Sequence, residues 1–198
     1  MPRFYAPASQ WSNSVVSLDE AEGRHAAEVL RLQQGDVVFV FDGAGRVART
    51  RLSAVSKRRV EAEILDVESV LVPSGKTTLI QALPKGKLFD WILEKAVELG
   101  VSKIVPLLTE RTVVQIDVSE RQRKKEKWER VVVEACKQCG QNWLPEVAMP
   151  VALPAFLNQP PPPVSVIGSL HPGATSLHSV LPNPLREDAC IWIGPEGD

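Results

Sequence analysis

Cysteine is scarce in this 198-residue chain: there are three, an odd number. That count argues against a disulfide framework and for a reducing cytoplasm. Long apolar runs are missing as well. No stretch approaches the ~20 residues of a membrane span, and the Met1-Pro2-Arg3-Phe4-Tyr5 start has no signal-peptide core. Internal repeats are absent, and neither charge is in excess, with 23 Lys and Arg against 24 Asp and Glu. A hydrophobic share of 44% and a charged share of 24% are ordinary for a globular protein, which excludes disorder as a global description. The length allows one large domain or two small ones.

The charge that is present is unevenly spread. Residues 76–145 carry 13 basic and 9 acidic side chains, and residues 146–198 carry 1 and 5. Earlier in the chain, Arg46, Arg49, Arg51, Lys57, Arg58 and Arg59 occur with no acid between Gly43 and Val60. Such a stripe is either a phosphate-binding footprint or the solvated face of a hairpin.

Residues 1–72 read as a small β domain. Ser17 and Glu20 have capping-box spacing and open an expected helix over 21–32, with Val29 and Leu30 available for burial. Turn signals at Gly35-Asp36 and Asp42-Gly43 bracket a strand at 37–41, and strands are expected at 47–55 and 59–67. Several short strands with one helix suggest a barrel. Val72-Pro73-Ser74-Gly75 reads as a linker. From residue 76 onward, strands alternate with helices: strands at 77–83, 103–108, 164–169 and 189–193, and helices at 88–99 and 119–139. Phe89, Ile92, Leu93, Ala96 and Leu99 form one helix's apolar face, and Trp128, Val131, Val132, Ala135, Cys136 and Cys139 form the other's. A proline-rich connector spans 150–163. This pattern implies a largely parallel sheet covered on both faces.

Few motifs carry chemistry by themselves. Cys136-Lys137-Gln138-Cys139 has redox or zinc spacing, but it lies in the last turn of a helix, on the apolar seam and without a second ligand pair, so core packing is expected. His25, His171 and His178 have no metal-ligand spacing with the cysteines. His25, between Arg24 and Arg31, suits either a phosphate contact or an ordinary solvent-facing helix position. Pro84-Lys85-Gly86-Lys87 joins a strand to a helix at the edge where parallel sheets bind ligands. It lacks the spaced glycines of a Walker loop, which leaves RNA phosphate as its expected partner. Ile193-Gly194-Pro195-Glu196-Gly197 can wrap a flat ligand with main-chain groups or can be a plain turn.

Taken together, several segments resemble the RsmE family. They are Gln81-Ala82-Leu83-Pro84-Lys85-Gly86, Glu94 to Gly100, Pro106 to Arg111, Glu134 to Asn142, and Ile193 to Gly197. The N-terminal part matches through His25, Leu30-Arg31, Gly35-Asp36 and Asp42-Gly43. The resemblance implies an α/β protein with a PUA-like RNA-binding β-barrel over 1–72 and a SPOUT methyltransferase domain over 76–198. It further implies a trefoil knot in the second domain, completed by a helix and closing segment beyond Asp198, so that the domain is incomplete at its C-terminus here. The implied activity is methylation of N3 of a uridine in bacterial 16S ribosomal RNA of the small subunit, by a cytoplasmic homodimer using S-adenosylmethionine and no metal.

The resemblance also implies roles for residues. Ser169-Leu170-His171 and Ile193-Gly194-Pro195-Glu196-Gly197 are expected to hold the cofactor. RNA contacts are expected at Arg24, His25, Arg31, Arg49 and Arg51, and at Lys85, Lys87, Arg111, Gln141 and Asn142; the family usually has arginine where this chain has Gln141. Removing the N3 proton of uridine leaves negative charge on the base, and Lys85, Arg111 and Lys137 are candidates to stabilise it or to bind phosphate. Glu98 and Glu110 suit acid–base work or ion pairs with Lys95 and Arg111, and no catalytic base is named. The competing expectations are a SPOUT methyltransferase with another target atom and a non-catalytic RNA-binding protein.

Overall fold

The structure is a computed structural model, and it describes residues 1–56, 59–72, 74–112, 114, 116–158, 160, 164–181 and 187–195. The chain forms two compact units, Met1–Val72 with Cys136–Leu144, and Pro73–Ala135 with Pro145–Asp198.

The first unit contains β1 (Arg3–Tyr5), β2 (Val15–Leu18), α1 (Glu20–Arg24), β3 (Val37–Phe41), β4 (Arg46–Val55) and β5 (Val60–Ser69). The strands pair in the order β1-β3-β4-β5-β2; β1 runs parallel to β3 and the other ladders are antiparallel. Each strand sends apolar side chains into one core, including Phe4, Val16, Val38, Leu52 and Val60. The sheet therefore curls around its own interior, although no ladder among the described residues joins β1 to β2. Alternation along β4 buries Thr50 and Leu52 and exposes Arg49, Arg51 and Ser53.

The first helix differs from expectation. Its N-cap is Asp19, whose carboxylate accepts from the Glu22 amide, and not Ser17, which lies in β2. After Arg24 the helix widens into a π turn over His25–Val29. Val29 and Leu30 are exposed, and Ala26 faces the core instead. The widened turn changes which residues share a face, so the regular helical period expected from the sequence fails there.

The returning segment is tied to this unit through its main chain. The Gly45 amide donates to the Asn142 carbonyl at 3.1 Å, and the Leu144 amide donates to the Gly43 carbonyl at 2.9 Å. Gly45 has φ +94°, and a Cβ there would lie 2.5 Å from the Trp143 ring and 2.9 Å from the Val70 carbonyl oxygen. Only glycine fits that turn.

The second unit contains β6 (Thr77–Ala82), α2 (Leu88–Glu98), β7 (Lys103–Leu108), most of α3 (Val118–Cys139), β8 (Glu146–Val147), β9 (Val151–Ala152), α4 (Leu153–Leu157), β10 (Val164–Ile167), α5 (Leu177–Val180) and β11 (Ala189–Ile193). Its sheet has the order β10-β11-β6-β7-β8, with β9 also on β7, and every ladder is parallel. Ile80, Val105, Leu107 and Cys190 form its core, and Phe89 of α2 meets Trp128 of α3 edge-on at 4.7 Å.

Three expectations are corrected here. Leu99 is the exposed C-cap of α2, and Val97 is buried in its place. Cys139, the last residue of α3, is exposed while Cys136 is buried. The proline-rich connector holds two elements, β9 and α4, where no structure was expected.

Candidate functional site

In a parallel sheet all strands end at the same edge, and ligands bind there. The loops after β10, β11, β6 and β7 therefore emerge side by side, about 5 Å apart from strand to strand. In that order they carry Gly168-Ser169, Gly194-Pro195, Lys85-Gly86-Lys87 and Glu110-Arg111. Gly86 adopts φ +68°, which turns the chain sharply between β6 and α2 and leaves both lysines exposed. Arg111 is exposed as well. Among the described residues none of these three cations has an ion-pair partner.

At the β10 end of this edge lies a cavity of about 720 Å³, lined by β10, Gly168, Ser169, Gly173 to Thr175, Leu177, Val180, Ile191 and Ile193. That volume falls in the ~300–1,000 Å³ range of small-ligand sites. The Gly168 amide donates to the Trp192 carbonyl at 2.9 Å, and a Cβ on Gly168 would stand 3.2 Å from Ile193 Cδ1. The glycine thus keeps the cradle open. Ser169 Oγ accepts from the His171 amide at 3.1 Å, closing the turn beside it. On β10, the hydroxyl of Ser165 accepts from Trp192 Nε1 at 2.9 Å and lies 3.1 Å from Cys190 Sγ, which pins the edge strand to β11.

Of the residues expected to hold a cofactor, Ser169 and Ile193 line the cavity. Leu170, His171, Gly194 and Pro195 are beside it in sequence but not in its lining. Glu196 and Gly197 lie outside the described residues, as do Lys57 and Arg58 of the basic stripe. The lining from Gly173 to Val180 was not anticipated; the run of small residues Gly173-Ala174-Thr175 was its one sequence signal.

The expected RNA contacts of the first unit are placed differently. Arg24 pairs with Glu20 at 2.7 Å and Arg49 with Asp66 at 2.7 Å. Arg51 stands opposite Glu63 across the β4–β5 ladder. His25 packs edge-on against Phe4, with ring centres 6.2 Å apart, and Arg31 is exposed at φ 54°. Gln141 Oε1 accepts from the amides of Asn142 and Trp143 at 3.0 and 3.2 Å, capping its own turn. Asn142 Oδ1 accepts from Arg3 at 2.6 Å.

Lys137 is engaged too: its ammonium donates to both carboxylate oxygens of Glu22 at 2.9 and 3.1 Å, and the side chains are 9% and 10% exposed. Burial holds the Arg3 guanidinium below its ordinary value. Burial, aided by the neighbouring Cys139, also pushes the Cys136 thiol up to about 12, so Cys136 is not a thiolate at neutral pH. Among the described residues, no group of three or more His, Cys, Asp and Glu side chains is arranged to hold a metal, and no helix is long and apolar enough to cross a membrane.

Comparison with known proteins adds to this geometry. Residues 72–198 match the family model of an RNA methyltransferase domain, and residues 18–65 match that of an RNA methyltransferase PUA domain. Ribosomal RNA small subunit methyltransferase E of Synechocystis is 34% identical over 98% of this chain, and that of Bacillus subtilis is 31% identical over 66%. The chain spans 64% and 52% of the lengths of these two relatives. Among solved structures, a Legionella pneumophila methyltransferase in complex with the bound cofactor SAM superposes with a TM-score of 0.87 at 33% identity, covering 100% of this chain and 81% of that one. Ribosomal RNA small subunit methyltransferase E from Neisseria gonorrhoeae, bound to S-adenosyl methionine, gives 0.84 at 31% identity, covering 98% and 80%.

Proposed function

The chain belongs to the RNA methyltransferase family, with a PUA domain ahead of the methyltransferase domain, and from that premise we propose that it methylates ribosomal RNA of the small subunit using S-adenosylmethionine. The observation that carries the reading is the shared edge: three cations with no ion-pair partner among the described residues and a ligand-sized cavity lie on one row of loops.

The cavity suits the cofactor. Ile167, Leu177, Val180 and Ile193 supply apolar walls for a flat ring, Ser169 and Thr175 supply polar groups, and the absence of a side chain at Gly168 leaves room between the strand ends. When bound, S-adenosylmethionine supplies an electrophilic methyl group on sulfur. The protein's own task is to align the base and to bear the charge that appears on it. Loss of the uracil N3 proton spreads negative charge onto the ring oxygens, and Lys85 would stabilise that charge while Lys87 and Arg111 hold neighbouring phosphates.

The finer points rest on the likeness to the RsmE family: uridine N3 as the target atom, 16S ribosomal RNA or the small ribosomal subunit as partner, a homodimer, a bacterial cytoplasmic location and a trefoil knot. The strand order, with β11 lying between β10 and β6, agrees with a chain that threads back through its own sheet. A methyl-transfer assay with the whole protein and small subunits lacking the modification tests the reading. The expected result is a cofactor-dependent reverse-transcription stop at one uridine. Methylation of a different atom, leaving no stop, would redirect the target, and RNA binding without transfer would replace the enzyme with a binding module.

A further inference from the structure

We infer that Thr112 is a positioning residue for Arg111, presenting it to an RNA phosphate; the inference rests on the function proposed above. The segment Thr109-Glu110-Arg111-Thr112 follows directly on β7 and forms a tight turn, closed by the Thr112 amide donating to the Thr109 carbonyl at 3.1 Å. Most turns make that one bond. This one has two more on its inner side. Thr112 Oγ1 accepts from the Thr109 amide at 3.0 Å, and the two threonine hydroxyls share a hydrogen bond of 2.8 Å. Thr112 is 3% exposed, whereas Glu110 and Arg111, at the two central positions, are exposed.

The consequence is a polar clasp beneath a charged tip. A flexible arginine loses conformational freedom when it binds phosphate, and a turn that already fixes its backbone reduces that loss. Arg111 has no acidic partner among the described residues, so its charge is available.

The test measures binding of a uridine-containing small-subunit RNA fragment to the full chain by fluorescence anisotropy across a salt series. Arg111→Gln is expected to lower the salt slope by roughly 0.7–0.9, the value of one phosphate contact. Thr112→Val keeps the shape of the side chain but removes the hydroxyl; it should lower the slope by a similar amount and weaken binding about fivefold to tenfold at low salt. Thr112→Ser should restore both. The double variant should bind no more weakly than Arg111→Gln alone, because Thr112 acts only through Arg111.

Should Thr112→Val not fold, Thr109→Val removes the hydroxyl–hydroxyl bond but keeps the amide bond to Thr112 Oγ1, and should give a smaller loss of slope in the same direction. A Thr112→Val or Thr109→Val protein that keeps the wild-type slope, or a double variant whose losses add, overturns the inference while leaving the proposed function standing. A wild-type chain that binds this fragment no better than a neutral polymer overturns both.

Discussion

The two units differ in where their unpaired positive charges stand. In the first, five cations are committed, Arg24 to Glu20, Arg46 to Asp42, Arg49 to Asp66, Arg59 to Glu61 and Lys137 to Glu22, while exposed Arg31 and Arg51 have no ion pair among the described residues. The basic stripe that stands out along β4 lies against β5, where Glu61, Glu63, Asp66 and Glu68 supply acid across the ladder. In the second unit Lys95, Lys103, Arg123, Lys125 and Lys127 are paired as well, but Lys85, Lys87 and Arg111, at the carboxyl ends of β6 and β7, have no acid on them among the described residues. A density of arginine in sequence therefore says little about binding. What matters is whether the fold has already provided each cation with a counter-charge.

The sharpest test of this contrast is Lys137→Met. Lys137 neutralises buried Glu22, so its loss takes that counter-charge from a carboxylate held largely out of water and should cost on the order of 3 kcal/mol, read as a lower urea midpoint. Replacing Glu22 by Leu in the same protein should recover most of that stability. A Lys137→Met protein as stable as wild type would break the comparison at its strongest point.

Next in size come the exposed cations. Lys85→Gln and Lys87→Gln should each reduce the salt slope of RNA binding by roughly 0.7–0.9, while Arg49→Gln, whose charge is shared with Asp66, should reduce it by much less. Equal losses at all three would erase the distinction between committed and free charge.

The smallest expected effect concerns pH. The Cys136 thiol stays protonated in the folded chain up to about 12, whereas in the unfolded chain it ionises near 9.0. Between these values the folded state binds the extra proton, so its contribution is complete below pH 9 and is lost as pH rises toward 12. The urea midpoint of Cys136→Ala should fall less steeply over that window than that of wild type. A thiol reagent near neutral pH should modify exposed Cys139 well before Cys136.

Periodicity and turn residues located most elements. β3, β7 and β11 fall where their β-branched and apolar runs lie, and the alternation after residue 76 does build a parallel sheet. The short strands β1 and β2 escaped because three or four residues carry too little pattern to stand out. α1 was misread because a π turn breaks the period that would have buried Val29 and Leu30. At Gln141 and Asn142, expected as RNA contacts, the side-chain oxygens accept from main-chain amides and from Arg3, a residue no local motif picks out.

By itself the sequence determined the family, the order of the longer strands and helices and the identity of the loops that bear Lys85, Arg111 and Ser169, because these depend on local pattern and on blocks of adjacent residues. Only the tertiary structure decided which charges are free. Pairing across a ladder joins residues such as Arg49 and Asp66, and packing of a returning segment joins Lys137 to Glu22; neither partner is near in sequence. The cavity beside β10 is likewise a product of topology, since the last strand β11 must insert between β10 and β6 before Gly168 and Ile193 can face one another.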